Sequence, residues 1–422
     1  MPADMSIDVA RTAGTPVAGP MNPAPAIDWR TIGALNAVST LAQIGQFGIA
    51  FVVLPLWLAG QGLDASQLGL FAASLWFGQL PGLAVAPWLC RRIGSRWVVA
   101  AGLLCTLLAL ALIAGAAWPA ALAGGALAGF GLGLRWIGLE PWLYRIAPAG
   151  ARGRLVGFHE TLIALAPIIA PLLAGRFGVR GPAVFWIGAG FTVLAMLPLA
   201  WAHDVAATAP QPLATAASGL RAAWREGVFR QGVAIALIGG MIDAAVAGLF
   251  APFALWRGVS DSQTADLLAV FGVGGLVMQY GVGWLADRRG VGSAAIACSV
   301  GAAIVALVLV LPLALPLLLP LRAPIVVAAV FLLGGFVTAF LTLAIVAGTL
   351  TAAGSIARNV SAVSMLYTAG GGVGPLGAGM VMKAWQPDAL MWLIAAAATV
   401  LAGVLVVGAV DSARSPSGRG LG

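Results

Sequence analysis

Five side chains that can hold or carry charge fall inside otherwise apolar stretches of the sequence: Arg135, Glu140, His159, Glu160 and Asp243. Asp243 stands alone in "VAIALIGGMIDAAVAGLF", where a carboxyl group can exchange a proton near neutral pH. The competing reading makes it a protonated side chain that glues two helices together. Arg135, in "GLGLRWIGLEPWLYR" (131–145), keeps its charge in any protein environment. Its chemistry is therefore to hold a carboxylate or an anionic substrate, or to sit in a fixed ion pair. Glu140 lies five residues further on, about 140° around a helix at 100° per residue. The two cannot share a face, so each must look to another helix. Pro141 removes a backbone hydrogen bond directly after the acid. Turning Glu140 towards a cavity and capping a half-turn remain equally open roles. His159 and Glu160, in "GFHETLIALAP", stand about one turn into their run. Either Glu160 pairs with Arg145, Arg152 or the Arg91/Arg92 loop as a gate, or His159, with an unperturbed pKa near 6.5, relays protons. Gln43, Gln46 and Trp136 complete the polar set expected to contact a substrate. Gln46 precedes Asp243 by 197 residues and is expected to face it across a cavity.

The elements that carry these residues follow from composition. The chain has 422 residues, 61% hydrophobic and 9% charged, with a mean hydropathy of +1.01. Soluble domains carry roughly 25% charged residues, so the solvent here must be lipid. A bilayer crossing needs about 20 apolar residues. Runs of that kind occupy about 33–58, 66–89, 97–117, 120–146, 155–175 and 182–202, then 231–254, 264–286, 292–314, 324–348, 360–382 and 389–410. They are continuous rather than alternating, which selects helices over a β-barrel. The expected fold is an all-α membrane protein, twelve transmembrane helices in two pseudo-symmetric six-helix bundles. Its parts are a disordered tail (1–30), a first bundle (31–203), a central linker (204–228), a second bundle (229–411) and a short tail (412–422). A charge at a helix centre costs about 2.5–3.5 kcal/mol on insertion scales, so the five ionisable residues should line a cavity or find partners.

The net charge of +8 reads as topology rather than as nucleic-acid binding. Of the 22 lysines and arginines, sixteen fall on the side of the termini, five fall opposite, and Arg135 lies between. That places both termini in the cytoplasm. Cys90, Cys105 and Cys298 have no paired spacing and imply neither a disulfide nor a metal framework.

The two sets of runs repeat one another. Pro55 and Pro252 are 197 residues apart, as are Asp64 and Asp261. "PWLCRRIG" (87–94) matches "GWLADRRG" (283–290) at an offset of 196, and "APIIAP" (166–171) matches "GPLGAG" (374–379) at 208. Repeated six-helix units around a central path are a transporter architecture.

On these motifs the chain resembles the major facilitator superfamily over nearly all its length. "GWLADRRG" is similar to the family's loop between the second and third helices of a half, with Gly283, Asp287, Arg288 and Gly290 in place. "RIAPAGARGRLVG" is similar to the loop between helices four and five, with Arg152, Gly153 and Arg154. The resemblance implies a gating role for these residues, Asp287 acting against Arg358. The first half departs from the pattern: Pro87 replaces a Gly, Arg91 replaces the Asp, and Arg145 stands where many relatives have an acid. "ALAPIIAPLLAG" (164–175) resembles the helix-five motif of antiporters, with Pro167 as its bend. The resemblance therefore implies proton-coupled export of a small organic compound by a monomer in the inner membrane, with no enzymatic activity, cofactor or metal. Asp243 would carry the proton, Arg135 would organise charge and Gln46 would touch substrate. Two rivals stand beside it: a symporter or facilitator that imports an anionic metabolite, and a receptor that moves nothing.

Overall fold

The computed structural model describes residues 28–115, 118–148, 151–203, 214–310 and 322–414. The first bundle comprises α1 (Trp29–Gly60), α2 (Ala65–Ile93), α3 (Ser95–Ala114), α4 (Trp118–Ile146), α5 (Gly153–Phe177) and α6 (Ala183–Leu199). A linker helix, α7 (Ala214–Arg225), follows. The second bundle comprises α8 (Gly227–Trp256), α9 (Asp261–Arg289), α10 (Val291–Val310), α11 (Arg322–Leu350), α12 (Ile356–Ala384) and α13 (Ala389–Arg414). Among the described residues, ten helices are long and apolar enough to cross a membrane. The shorter α6 and the glycine-rich α12 complete the twelve. Several boundaries differ from the sequence reading: α1 starts at Trp29 and α8 at Gly227, each two residues ahead of its expected bundle. The linker contains a helix, and α13 runs to Arg414, three residues into the expected tail. The rest of both expected tails, residues 1–27 and 415–422, and linker residues 204–213 lie outside the described residues.

Local chemistry repeats along with the helices. Asp64 caps α2 and Ser260 caps α9, each in a capping box with the glutamine three residues on. At their other ends both helices stop at a glycine with positive φ, Gly94 at 87° and Gly290 at 83°. That backbone geometry explains why the two related loops both end in Gly. Two helices break the pattern. Turns Ile44–Val53 of α1 are π-helical, with no counterpart in α8, and α5 is interrupted at Ala164–Leu165, just before Pro167.

Adjacent helices alternate direction, so each bundle has a linker end, near α7, and a distal end. The close glycine-mediated approaches between the bundles all fall in the distal halves of the helices. Gly69 of α2 abuts Pro375 and Gly379 of α12, and Gly272 of α9 abuts Pro167 of α5. Small residues permit this backbone proximity. Two ion pairs span the same seam. Asp64, at the start of α2, meets Lys383 of α12 at 2.9 Å. Asp261, at the start of α9, meets Arg180, just after α5, at 2.5 Å. The repeat that relates the two aspartates thus yields a matched pair of latches. Arg257 and Asp388 (2.7 Å) form a third distal pair, within the second bundle.

Solvent reaches both latches, and such pairs are each worth about 0.2–1 kcal/mol. Asp64→Asn combined with Asp261→Asn should raise the fraction of molecules that admit a water-soluble thiol reagent at the distal seam by about two- to tenfold. Single variants should do less. The carboxyl of Asp64 is held below its ordinary 3.8, at about 2, first by the Ser66 hydroxyl and then by Lys383. A lowered carboxylate stabilises the paired state above its ordinary value, and that contribution disappears as pH falls through the shifted one. Spin labels across the α2–α12 seam should therefore report an unchanged distance from pH 7 to about pH 4, with loosening only below that.

Candidate functional site

Arg135 is 2% exposed, and one face of α1 wraps its guanidinium. Nε donates to Gln46 Oε1 (2.5 Å), Nη1 donates to Ser39 Oγ (3.2 Å), and Nη2 donates to Gln43 Oε1. Spacings of four and three residues bring Ser39, Gln43 and Gln46 onto a single helical face. Each acceptor is neutral. Among the described residues no carboxylate forms an ion pair with Arg135, which sets aside the fixed-ion-pair reading. The far side is closed by α3. A Cβ at Gly102 would lie 2.9 Å from the Arg135 backbone nitrogen, so only glycine lets α3 approach this closely. Gln46 completes the seal by donating to Thr106 Oγ1 (2.6 Å) and to the Gly102 carbonyl (3.2 Å).

The network continues towards the linker end. Ser39 Oγ lies 3.4 Å from His159 Nε2, and His159 Nδ1 lies 3.1 Å from Asn36 Oδ1. Asn36 donates its amide to the Ile32 carbonyl (2.9 Å), which turns its oxygen towards the imidazole. His159 thus donates through Nδ1 and accepts from Ser39 through Nε2, a tautomer assigned from this pattern. The hydrogen bonds run in one direction, from Arg135 through Ser39 and His159 to Asn36.

Glu140 stands one turn beyond Trp136, beside its indole and within electrostatic range of Glu160 and Arg135. Glu160 is exposed and accepts from the Tyr144 hydroxyl at 3.1 Å. The Tyr144 ring meets His159 edge-on at 6.1 Å. Tyr144 thus stands beside both acids, donating to Glu160 and lying within electrostatic range of Glu140. The side chain of Arg152 lies outside the described residues.

Asp243 of α8 accepts a hydrogen bond from the Tyr367 hydroxyl of α12 at 2.9 Å. Tyr367 is buried and touches Trp76 of α2 with ring centres 6.3 Å apart. Trp76 packs edge-on against Phe51 at 5.3 Å, and Phe51 stacks on Phe47 at 5.3 Å. Rings from α1, α2 and α12 thus connect the first bundle to the carboxylate in the second. Trp76 fits because position 371 is glycine, where a Cβ would lie 2.6 Å from the indole.

Gln46 does not face Asp243 across a cavity. It is 1% exposed and turned into the first bundle. The π-helical turns of α1 rotate its faces relative to α8, so equal repeat positions no longer point in matching directions. Gln43 and Trp136 are half-buried. The residues expected to gate lie at the linker end. Asp287, Arg288 and Gly290 are exposed, and Arg154 is exposed at the start of α5. Arg358 packs beside Gly354 and Gly219 of α7; among the described residues it forms no ion pair with Asp287 in this conformation. Pro167 lines the seam against Gly272.

Sequence reasoning passed over Ser39, Asn36, Thr106, Tyr144 and Tyr367. The spacing of Ser39, Gln43 and Gln46 was the available signal for the first. The chain has only three tyrosines, and two of them donate to acids, so their rarity was a second signal.

Similar proteins agree with this architecture. An MFS-type transporter of Yersinia pestis (strain Pestoides F) is 26% identical over 369 residues, covering 84% of this chain and 91% of its own. Among solved structures, the nucleoside transporter NupG superposes with a TM-score of 0.73 at 14% identity, covering 90% of this chain and 98% of its own. A D-xylose–proton symporter gives 0.65 at 17% identity, with coverages of 90% and 97%. Residues 37–356 match the profile of the Major Facilitator Superfamily, and the chain, a multi-pass membrane transporter by fold and by sequence, belongs to that family.

Proposed function

We propose that this chain is a proton-coupled secondary transporter that exports a small organic compound across the inner membrane by alternating access. In this reading the linker end faces the cytoplasm, as the excess of arginine on that side supports. Asp243 carries the proton, and Arg135 is a fixed positive charge that organises the cavity. Gln43 and Trp136 meet substrate, while Glu140, His159 and Glu160 take part in proton coupling at the cytoplasmic side. Asp287 and Arg288, with Arg152, Arg154 and Arg358, gate that side.

The observation that carries the reading is the Asp243–Tyr367 hydrogen bond at the point where Trp76 reaches across from the first bundle. Gaining or losing a proton changes what Asp243 can offer Tyr367, and Tyr367 stands in the contact between the halves. One group thus links protonation to bundle packing, as coupling requires. The resemblance of "ALAPIIAPLLAG", with Pro167, to the helix-five motif of antiporters supports export.

A second reading is uptake of an anionic metabolite by a symporter or facilitator. The neutral shell of Arg135 favours it, because no carboxylate among the described residues pairs with that charge. The D-xylose–proton symporter among the structural neighbours illustrates that the fold accommodates symport, though at 17% identity it speaks for the fold alone.

Inverted vesicles carrying an imposed proton gradient and a pH-sensitive dye separate the two. In the antiport reading, compounds from a broad panel should dissipate the gradient when added outside. Asp243→Asn should abolish that response, at least tenfold, while leaving substrate–substrate exchange intact. Loss of both activities, or of neither, would remove Asp243 from the coupling step. Arg135→Lys keeps the charge but cannot span Ser39, Gln43 and Gln46 at once. It should lower transport tenfold or more and reduce thermal stability, as read by a fluorescence melt.

A further inference from the structure

Two half-exposed tryptophans occupy repeat-related positions at the linker ends of α2 and α9: Trp88, 47% exposed, and Trp284, 49% exposed. Each carries an arginine one turn further on, Arg92 at 5.3 Å from the ring centre and Arg288 at 4.3 Å. Residues four apart meet on a helix surface, and a guanidinium laid on an indole keeps its N–H edge directed outward. Among the described residues neither guanidinium has an ion-pair or hydrogen-bond partner. The linker helix adds Trp224 with Arg221 and Arg225, all exposed at the same end.

We propose that these stacked Trp–Arg pairs bind the phosphodiester headgroups of anionic phospholipids in the surrounding bilayer. Tryptophan suits the boundary between acyl chains and water, and the planar donor fork of arginine matches phosphate oxygens. Both sites stand at the ends of membrane-spanning helices, where the phosphate layer runs. The repeat also makes them unequal. The residue before Arg288 is Asp287, which repels an anion, and at the same position the first bundle has Arg91. The α2 site is therefore the tighter of the two, although one donor of Arg91 is committed to the Pro87 carbonyl at 3.0 Å. The replacement of an acid by Arg91 in the first-half loop thereby acquires a lipid-binding role.

Native mass spectrometry of the detergent-purified full chain, loaded with phosphatidylglycerol or phosphatidylcholine, tests this. Wild type should retain phosphatidylglycerol preferentially, by about fivefold per site. Arg92→Gln should remove more of that preference than Arg288→Gln, and the double variant should remove most of it. An unchanged preference in the double variant overturns the proposal. Displacement of the lipid by millimolar inorganic phosphate would assign the sites to free phosphate instead and equally overturn it. As a readout independent of arginine replacement, brominated phosphatidylglycerol should quench tryptophan emission more than brominated phosphatidylcholine. That difference should vanish in Trp88→Phe/Trp284→Phe, and its persistence would refute the assignment.

Discussion

A guanidinium cannot shed its proton inside a protein, and at the centre of a bilayer it must be solvated by protein groups or by water. Much of the first bundle is arranged around that requirement at Arg135. Helix α1 supplies three neutral acceptors from one face, α3 comes close through Gly102, and Thr106 holds Gln46 in position. Neutral acceptors satisfy the N–H donors without cancelling the charge. The first bundle therefore holds a fixed positive centre, with Glu140 and Glu160 gathered on its linker side rather than bonded to it.

The second bundle carries the complementary element, a lone carboxylate whose hydrogen-bond partner is a tyrosine. Arg135, with His159, Glu140 and Glu160 nearby, occupies the first bundle, and the Asp243–Tyr367 pair occupies the second. Physical contact joins them through Trp76, which touches Tyr367 on one side and Phe51 on the other. Aromatic contacts of this kind are worth about 0.5–1.5 kcal/mol beyond their buried area. That is enough to favour one packing of the seam without locking it.

The distal closure has the same character. Backbone lies against backbone where Gly69 meets Gly379 and Gly272 meets Pro167, and the two latches at the rim are exposed to water. Dispersion contacts and solvent-screened ion pairs are individually weak and easily reversed.

Much of this was legible along the chain. Twelve apolar runs, their division into six and six, and the repeat linking Asp64 with Asp261 depend only on residue type and spacing, because lipid leaves a backbone few alternatives to helix. The isolation of Asp243 and the separation of Arg135 from Glu140 around their helix were readable for the same reason, since helical geometry converts spacing into angle. The identities of the partners were not readable. That Gln46 turns inward to Arg135, that Tyr144 donates to Glu160, and that Tyr367 meets both Asp243 and Trp76 depend on which helix faces which. Local sequence sets the direction of a side chain relative to its own helix axis. Only the packing of the bundles, altered here by the π-helical turns of α1 and the break in α5, decides what that direction meets.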